Sequence, residues 1–284
     1  MSKKLWEASK KEKNYSNLFK YEKFLSKKFK YKPSKNFNKL FKWSIQNKSK
    51  FWSSIWDFCD VKGKKKDKFK KSKNFIKNKF LVGSKINFAE NILSKKDNSK
   101  SITFLSENGF RKEISWKVLN KDTSRIVNFF KSIGINENDR VAAYLPNLIE
   151  TVECFIATSA IGAIWSSCSP DFGTNGVIER FSQINPKILI ISDRYYYNGK
   201  EINVIDRLPE IIKKIKSIKN VLVISYPGKK ILKFNKVKKI KYFTWKNIVS
   251  SKPNEIKFKR FDFDKELAIL YSSGTTGKTK CICH

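Results

Sequence analysis

Histidine is nearly missing from this chain: there is one in 284 residues, His284. Any Ser-His-Asp triad has that single candidate to draw on. Cysteine is scarce and unpatterned. Cys59, Cys154, Cys168, Cys281 and Cys283 form an odd set without framework spacing, which excludes a disulfide scaffold and points to a reducing, cytoplasmic compartment. Cys281, Cys283 and His284 offer only three ligands, in a C-x-C-H order that fits no standard zinc spacing. No metal-ligating residue is assigned. A long apolar run is also lacking. The nearly apolar stretch from Cys154 to Trp165 follows Glu150 and Glu153 and is too short to span a bilayer, so it reads as a buried helix. Charge begins at Lys3, leaving no signal-peptide core, and no internal repeat is visible. A membrane partner is not expected.

Acidic residues are few, 25 against 61 basic ones, for a net charge of +36. Such a balance invites a nucleic-acid partner. The lysines, however, run the whole length beside many Asn, Ile and Phe. That is compositional bias rather than one basic face, so nucleic acid is not the expected partner. The densest cluster, Lys62 to Lys73, reads as a solvated, mobile linker, because like charge with few large apolar residues cannot offset the entropy of ordering.

The 284 residues suit one large domain or two modest ones. Residues 1 to 60 are rich in aromatics. Leu18, Tyr21, Phe24 and Leu25 fall at helical spacing, as do Phe51, Ile55 and Phe58. Two or three amphipathic helices that dock on something larger are expected, and core packing accounts for the aromatics better than base stacking does. From about residue 100 strands and helices alternate. Strands are read at Ile102–Leu105, Val141–Leu145, Ile164–Ser166, Lys187–Ser192, Val221–Ser225 and, last, Leu267–Tyr271. Asn108-Gly109 marks a hairpin turn. Helices are read at Trp116–Ile133, capped by Ser115 and closed by Gly134, and from an Asn147/Glu150 capping box to about Gly162. Two more span Asn175–Ile184 and Arg207–Ile218, with Pro209 in the first turn of the latter. The alternation implies an α/β fold: parallel sheets with flanking helices, preceded by an aromatic-rich helical N-terminal segment. The division expected is 1–98 for the helical lead and basic linker and 99–284 for the α/β domain.

Ligands of such sheets bind beyond the carboxyl ends of the strands, and the last strand runs into Ser272-Ser-Gly-Thr-Thr-Gly-Lys-Thr-Lys280. Gly274 and Gly277 let the backbone turn its N–H groups toward an anion. Ser272, Ser273, Thr275 and Thr276 add hydroxyls, and Lys278 and Lys280 add positive charge. Two phosphate-binding designs compete. The Walker pattern fits Gly277-Lys278-Thr279 but needs a glycine where Ser272 stands and a helix after the lysine. The loop of adenylate-forming enzymes fits the run as a whole. Two other runs weigh less. Asp171-Phe172-Gly173 matches the kinase tripeptide by chance, since no catalytic loop precedes it. Asn198-Gly199-Lys200 reads first as a surface turn.

Several further blocks occur in order: Trp43-Ser-Ile-Gln-Asn, Phe51-Trp-Ser-Ser-Ile-Trp-Asp-Phe58, Asn87-Phe-Ala-Glu-Asn-Ile-Leu93, Asp139-Arg-Val-Ala-Ala-Tyr-Leu-Pro-Asn147 and Gly162-Ala-Ile-Trp-Ser-Ser-Cys-Ser-Pro-Asp-Phe-Gly173. With the terminal loop they make nearly the whole chain resemble the N-terminal part of the adenylate-forming acyl-CoA synthetases. Ser169-Pro-Asp-Phe-Gly173 points to the acetoacetyl-CoA synthetase branch. The resemblance implies ATP-dependent ligation of acetoacetate to coenzyme A through an acyl-adenylate, a place in lipid metabolism, and small-molecule partners: ATP, a short 3-oxo acid and CoA. It implies that Ser272, Ser273, Gly274, Thr275, Thr276, Gly277 and Lys280 hold the β- and γ-phosphates, with Mg²⁺ bridging phosphate oxygens. Gly199 and Lys200 sit where relatives carry a segment that touches the coenzyme A phosphate. His284 matches the histidine that follows the loop. No catalytic residue is singled out. The family has Pro where this chain has Thr279, which implies a more flexible loop. Members are about twice this length, so the chain is expected to be a fragment whose adenine contacts, acid pocket and C-terminal domain lie elsewhere. An acetyl- or propionyl-CoA synthetase-like ligase, a lysine-rich nucleic-acid-binding module and a truncated Walker-type NTPase stay open as alternatives.

Overall fold

A computed structural model of the chain describes residues 5–272 and 279–284. Two compact units part at Ile86/Asn87, where the sequence expectation drew the line at 98/99.

The first unit opens with four helices among its described residues: α1 (Lys10–Tyr15), α2 (Asn17–Phe29), α3 (Phe37–Gln46) and α4 (Lys48–Phe58). Helix α1 is one more than expected. It buries nothing and owes its form to its cap: the Ser9 hydroxyl accepts from Glu12 N–H, and Glu12 accepts from Ser9 N–H at 2.7 Å. Tyr21, Leu25 and Leu40 make the centre of this unit, ringed by Phe24, Trp43, Phe51, Ile55 and Phe58. Leu18, read as part of the inner stripe, lies instead 46% exposed. Glu22 is buried but satisfied, accepting from Tyr31 OH and Lys35 N–H, each at 2.9 Å.

The Lys62–Lys73 stretch is not a free linker. Strand β1 (Gly63–Lys64) pairs antiparallel with β2 (Lys85–Ile86). Lys70 and Lys79 exchange backbone hydrogen bonds at 2.8 and 3.0 Å. Lys65 Nζ donates to Ser53 O at 3.0 Å and to Asp57 at 2.8 Å. Backbone pairing and a half-buried carboxylate order what charge density alone would leave loose.

The second unit starts with α5 (Phe88–Ile92). Asn87 caps it, and its Nδ2 donates to Ala160 O at 3.0 Å and Lys259 O at 2.8 Å. A hairpin follows, β3 (Lys100–Leu105) and β4 (Arg111–Ser115), turned at Gly109 with φ +80. Ser115 caps α6 (Trp116–Ser132), and Gly134, φ +78, ends it as expected. Then come β5 (Arg140–Tyr144), α7 (Ile149–Ala160), β6 (Ile164–Cys168), α8 (Thr174–Phe181), β7 (Ile188–Ser192), a hairpin of β8 (Arg194–Tyr197) and β9 (Lys200–Asn203), α9 (Leu208–Lys214), β10 (Asn220–Ile224), β11 (Lys241–Thr244), α10 (Trp245–Val249), the short β12 (Phe261–Asp262), and a closing pair β13 (Ile269–Ser272) and β14 (Lys280–Cys283).

Five strands form one parallel sheet in the order β11-β10-β7-β5-β6. Val141–Tyr144, Ile188–Ile191 and Val221–Ile224 are fully buried, as strands covered on both faces must be. Helix α6 packs on α7, and α8 on α9. The α/β fold with a parallel sheet and flanking helices is thus as expected.

Several details differ. Helix α7 begins at Ile149, not at an Asn147/Glu150 box: Leu148 N–H donates to Thr151 Oγ1 at 3.4 Å, and Glu150 is buried 3.4 Å from Lys112. Helix α8 stops at Phe181 and α9 at Lys214, short of the expected ends. Strand β11, a half-exposed edge without an apolar run, went unread. The strand near 268 is neither last nor a full member of the sheet. It pairs antiparallel with β14 and meets the edge strand β6 through one parallel bridge, Trp165 with Ala268.

Glu153 of α7 is a buried carboxyl whose charged surroundings are Asp122 of α6, Glu150 of its own helix and Lys112 of β4. Burial above all, then the two carboxylates, holds its pKa well above the ordinary 4.5, and Lys112 opposes them. Folding therefore takes up a proton as pH rises above 4.5, and Glu153 costs stability across that range. We expect Glu153→Gln to be more stable than the parent by about 1–3 kcal/mol at pH near 7. The difference should vanish below the ordinary carboxyl pKa, as read by urea unfolding at several pH values. A glutamine variant weaker than the parent at neutral pH would refute this.

Candidate functional site

After β5 the chain moves to β6 on one side, then returns to β7 on the other side of β5. The connections from β5 and β7 so part in opposite directions, and a crevice opens beyond their carboxyl ends. A cleft of about 360 Å³ lies there, lined by Leu145, Pro146 and Asn147 after β5, by Ser169 and Asp171 after β6, and by Tyr195 to Tyr197 of β8.

Its floor is held by Tyr144, the last residue of β5. The fully buried Tyr144 hydroxyl donates to Phe172 O and accepts from Arg207 Nη1. The same nitrogen donates to Pro170 O at 3.0 Å and Phe172 O at 3.1 Å. Ser169 Oγ donates to Asp171 at 2.6 Å. Burial pushes the Tyr144 phenol up against the pull of Arg207, so it stays a neutral donor. The Ser169–Gly173 turn is thus pinned from below by a phenol and a guanidinium. From the side, the Arg180 guanidinium lies 4.1 Å from the Phe172 ring centroid. Cys168 is buried at the turn and its thiol is pushed up to about 12 by desolvation, which disfavours the thiolate.

Of the phosphate-loop residues, Ser272 ends β13, Lys280 begins β14, and the two pair across the hairpin. Ser273, Gly274, Thr275, Thr276 and Gly277 lie outside the described residues, as does Lys278. The flanks are firmly anchored. Trp165 N–H donates to Leu267 O at 3.1 Å. Ser166 Oγ contacts Ile269 O and the Tyr271 hydroxyl, both at 2.9 Å. On the far side Thr279 is buried, not loose. Its N–H and its Oγ1 both donate to Glu179 of α8, at 2.8 and 2.9 Å, and its carbonyl accepts from Gln183 at 3.1 Å. A proline at 279 could supply neither donor, so the flexibility expected of this departure is replaced at residue 279 by a two-bond latch. Because β13 runs parallel to β6 at its bridge, Ser272 faces the same side as the carboxyl ends of the sheet. Lys280 is exposed, and Arg180 lies 5.8 Å from the Tyr271 ring centroid.

Gly199 and Lys200 follow Asn198 at the tip of the β8–β9 hairpin, with φ +50 at Asn198 and +72 at Gly199, the two-residue turn that Asn-Gly favours. Gly199 N–H donates to Glu107 at 3.1 Å. The turn directly continues Tyr197 of the cleft wall. Sequence reasoning missed Tyr144, Arg207, Glu179 and Gln183. Their partners stand 28 to 100 residues away, and no local pattern marks such pairs. Among the described residues, no group of three His, Cys, Asp or Glu is placed to hold a metal ion, and no helix is long and apolar enough to cross a membrane.

Residues 93–284 match the family described as AMP-binding enzyme. The chain is 36% identical over 259 residues to an acetoacetyl-CoA synthetase of Xenopus tropicalis, covering 88% of this chain and 38% of that protein. It is 35% identical over 244 residues to an acetoacetyl-coenzyme A synthetase of Rhizobium meliloti, covering 85% and 37%. A solved acetoacetyl-CoA synthetase from Streptomyces lividans shares the fold with a TM-score of 0.89 at 24% identity, over 99% of this chain and 43% of that one. The chain thus spans about 38% of the length of the curated relatives it matches.

Two outcomes follow from the geometry. Thr279→Val and Glu179→Gln, singly and together, should show a coupling of about 1 kcal/mol in denaturant unfolding. Strict additivity would mean that the latch carries nothing. A thiol reagent at pH about 8 should modify Cys59, Cys281 and Cys283, which are exposed, and spare Cys154 and Cys168 until the chain unfolds. Prompt labelling of a fourth thiol would contradict the burial described.

Proposed function

This chain belongs to the AMP-binding enzyme family, and from that premise we propose that it supplies the leading part of an acid–CoA ligase joining acetoacetate to coenzyme A. Residues 1–98 are its helical lead and 99–284 the first part of its AMP-binding α/β domain. One observation carries the reading: a hairpin in which Ser272 pairs with Lys280 and whose flanks, Ile269 and Thr279, are bonded to β6 and α8 beside a parallel sheet. The acetoacetyl-CoA synthetases matched at 36% and 35% identity favour acetoacetate as the acid.

In this reading a carboxylate oxygen of the acid attacks the α-phosphorus of ATP. The bond to the bridging oxygen breaks, and pyrophosphate leaves. The thiolate of coenzyme A then attacks the acyl carbon, and AMP leaves with the electron pair of the mixed-anhydride bond. Ser272, Ser273, Gly274, Thr275, Thr276 and Gly277 offer N–H and hydroxyl donors to the β- and γ-phosphates. Lys280 adds a cation against the charge that builds on the departing pyrophosphate. Gly199 and Lys200, at the hairpin tip next to the cleft, take a phosphate of coenzyme A. The pinned Ser169–Gly173 turn keeps the cleft open between them. Mg²⁺ accompanying ATP would supply charge screening at the phosphates held by the Ser272–Gly277 run and Lys280. Among the described residues, no group of three His, Cys, Asp or Glu would hold it without the nucleotide. The partners are then small molecules, and the free thiols suit a reducing cytoplasm.

The test compares the 284 residues alone with the protein extended to the length of its relatives. Alone, the chain should yield no acetoacetyl-CoA from ATP, CoA and acetoacetate. At full length it should release AMP and pyrophosphate one for one with product, and should prefer acetoacetate over acetate or propionate by about 10-fold or more in kcat/KM. Turnover by the short chain, or a preference for acetate, would overturn the corresponding part of the proposal.

A further inference from the structure

The first unit combines dense positive charge with an exposed apolar line. Its 86 residues hold 27 lysines, no arginine and six acidic residues, so +21 of the chain's +36 lies in under a third of its length. Helix α3 points Leu40 inward, where it is 5% exposed. On another face it leaves Phe37, Phe41 and Ile45, four residues apart each, at 64%, 51% and 48% exposure. Three large apolar side chains in one exposed line are uncommon on a soluble surface. Ile45 also forms one wall of a cleft of about 440 Å³ whose rim carries Lys48, Lys50 and Lys71. The apolar line therefore runs directly into a cationic pocket.

We propose that this face docks on an anionic lipid surface, with Phe37, Phe41 and Ile45 entering the acyl boundary and Lys48, Lys50 and Lys71 engaging headgroup phosphate. Charge complementarity argues for this occupant. Lysines near an anionic leaflet are each attracted to it, and an apolar helix face supplies the second signal that stable surface binding needs. The lack of a membrane-spanning helix does not bear on it, since surface binding needs none. Nucleic acid fits less well. The Phe37 and Phe41 rings stack on each other, with centroids 6.1 Å apart and planes at 17°, which closes ring faces that bases would need. Ile45 has no ring to offer, and the unit has no guanidinium to stack or to fork onto a phosphate.

The experiment floats the full 284-residue chain with vesicles of phosphatidylcholine, with or without phosphatidylserine, at about 0.15 M and about 1 M salt. Binding is expected to the serine-containing vesicles alone, and to fall at the higher salt. Phe37→Ser/Phe41→Ser/Ile45→Ser, all at exposed positions, should weaken it about 10-fold or more while circular dichroism and Tm stay unchanged. Lys48→Glu/Lys50→Glu/Lys71→Glu should weaken it similarly. Undiminished binding by the serine variant would leave unspecific charge as the cause and overturn the proposal. So would absent binding by the parent, whether the face instead holds a second copy, seen as a dimer in sedimentation, or single-stranded DNA, seen as retention that the serine variant loses.

Discussion

Strand β5 is covered on both faces and paired on both edges, by β6 on one side and β7 on the other. That double pairing is the constraint from which the rest follows. It sets β5 beside β7, and the connections leaving these two strands run in opposite directions through the sheet. The crevice beyond Tyr144 results, and with it the place of the Ser169–Gly173 turn and of the β8–β9 hairpin. Tyr144 serves both ends of this arrangement: its ring is core, and its hydroxyl, together with Arg207, holds the backbone that walls the cleft.

The hairpin β13–β14 is attached to this frame rather than built into it. A single parallel bridge and a few side-chain bonds tie it to β6, while Glu179 and Gln183 hold its return strand. The threonine at 279, where the loop it resembles has proline, makes sense only in this setting. Proline would stiffen the backbone through its ring. Threonine achieves order by donating twice to a carboxylate on a neighbouring helix. Two chemical routes reach one mechanical end, and the second needs a partner that lies 100 residues upstream.

The charge of the chain divides along the same line as its units. In the α/β unit many cations meet a partner, such as Arg260 with Glu90 and Lys187 with Asp139. In the helical unit lysines far outnumber carboxylates, so most must remain in solvent or meet an external anion. The uniform lysine bias seen along the chain therefore has uneven physical consequences.

What the chain determined by itself was local. Apolar runs marked the buried strands, because a strand covered on both faces admits a polar residue only where it finds a partner, as Ser166 and Ser192 do. Ser115, Gly134 and Asn198-Gly199 marked a helix start, a helix end and a tight turn, because each satisfies or relaxes the backbone within a few residues. The glycine- and hydroxyl-rich run from Ser272 to Lys280 is the sequence feature on which the proposed phosphate loop rests. The tertiary structure decided what depends on distant partners: strand order, the placing of Thr279 against Glu179, the ordering of Lys62–Lys73 by Asp57 and Ser84, and the meeting of Tyr144 with Arg207. These contacts form only when chain closure brings remote side chains into reach, and no periodicity or spacing records that event.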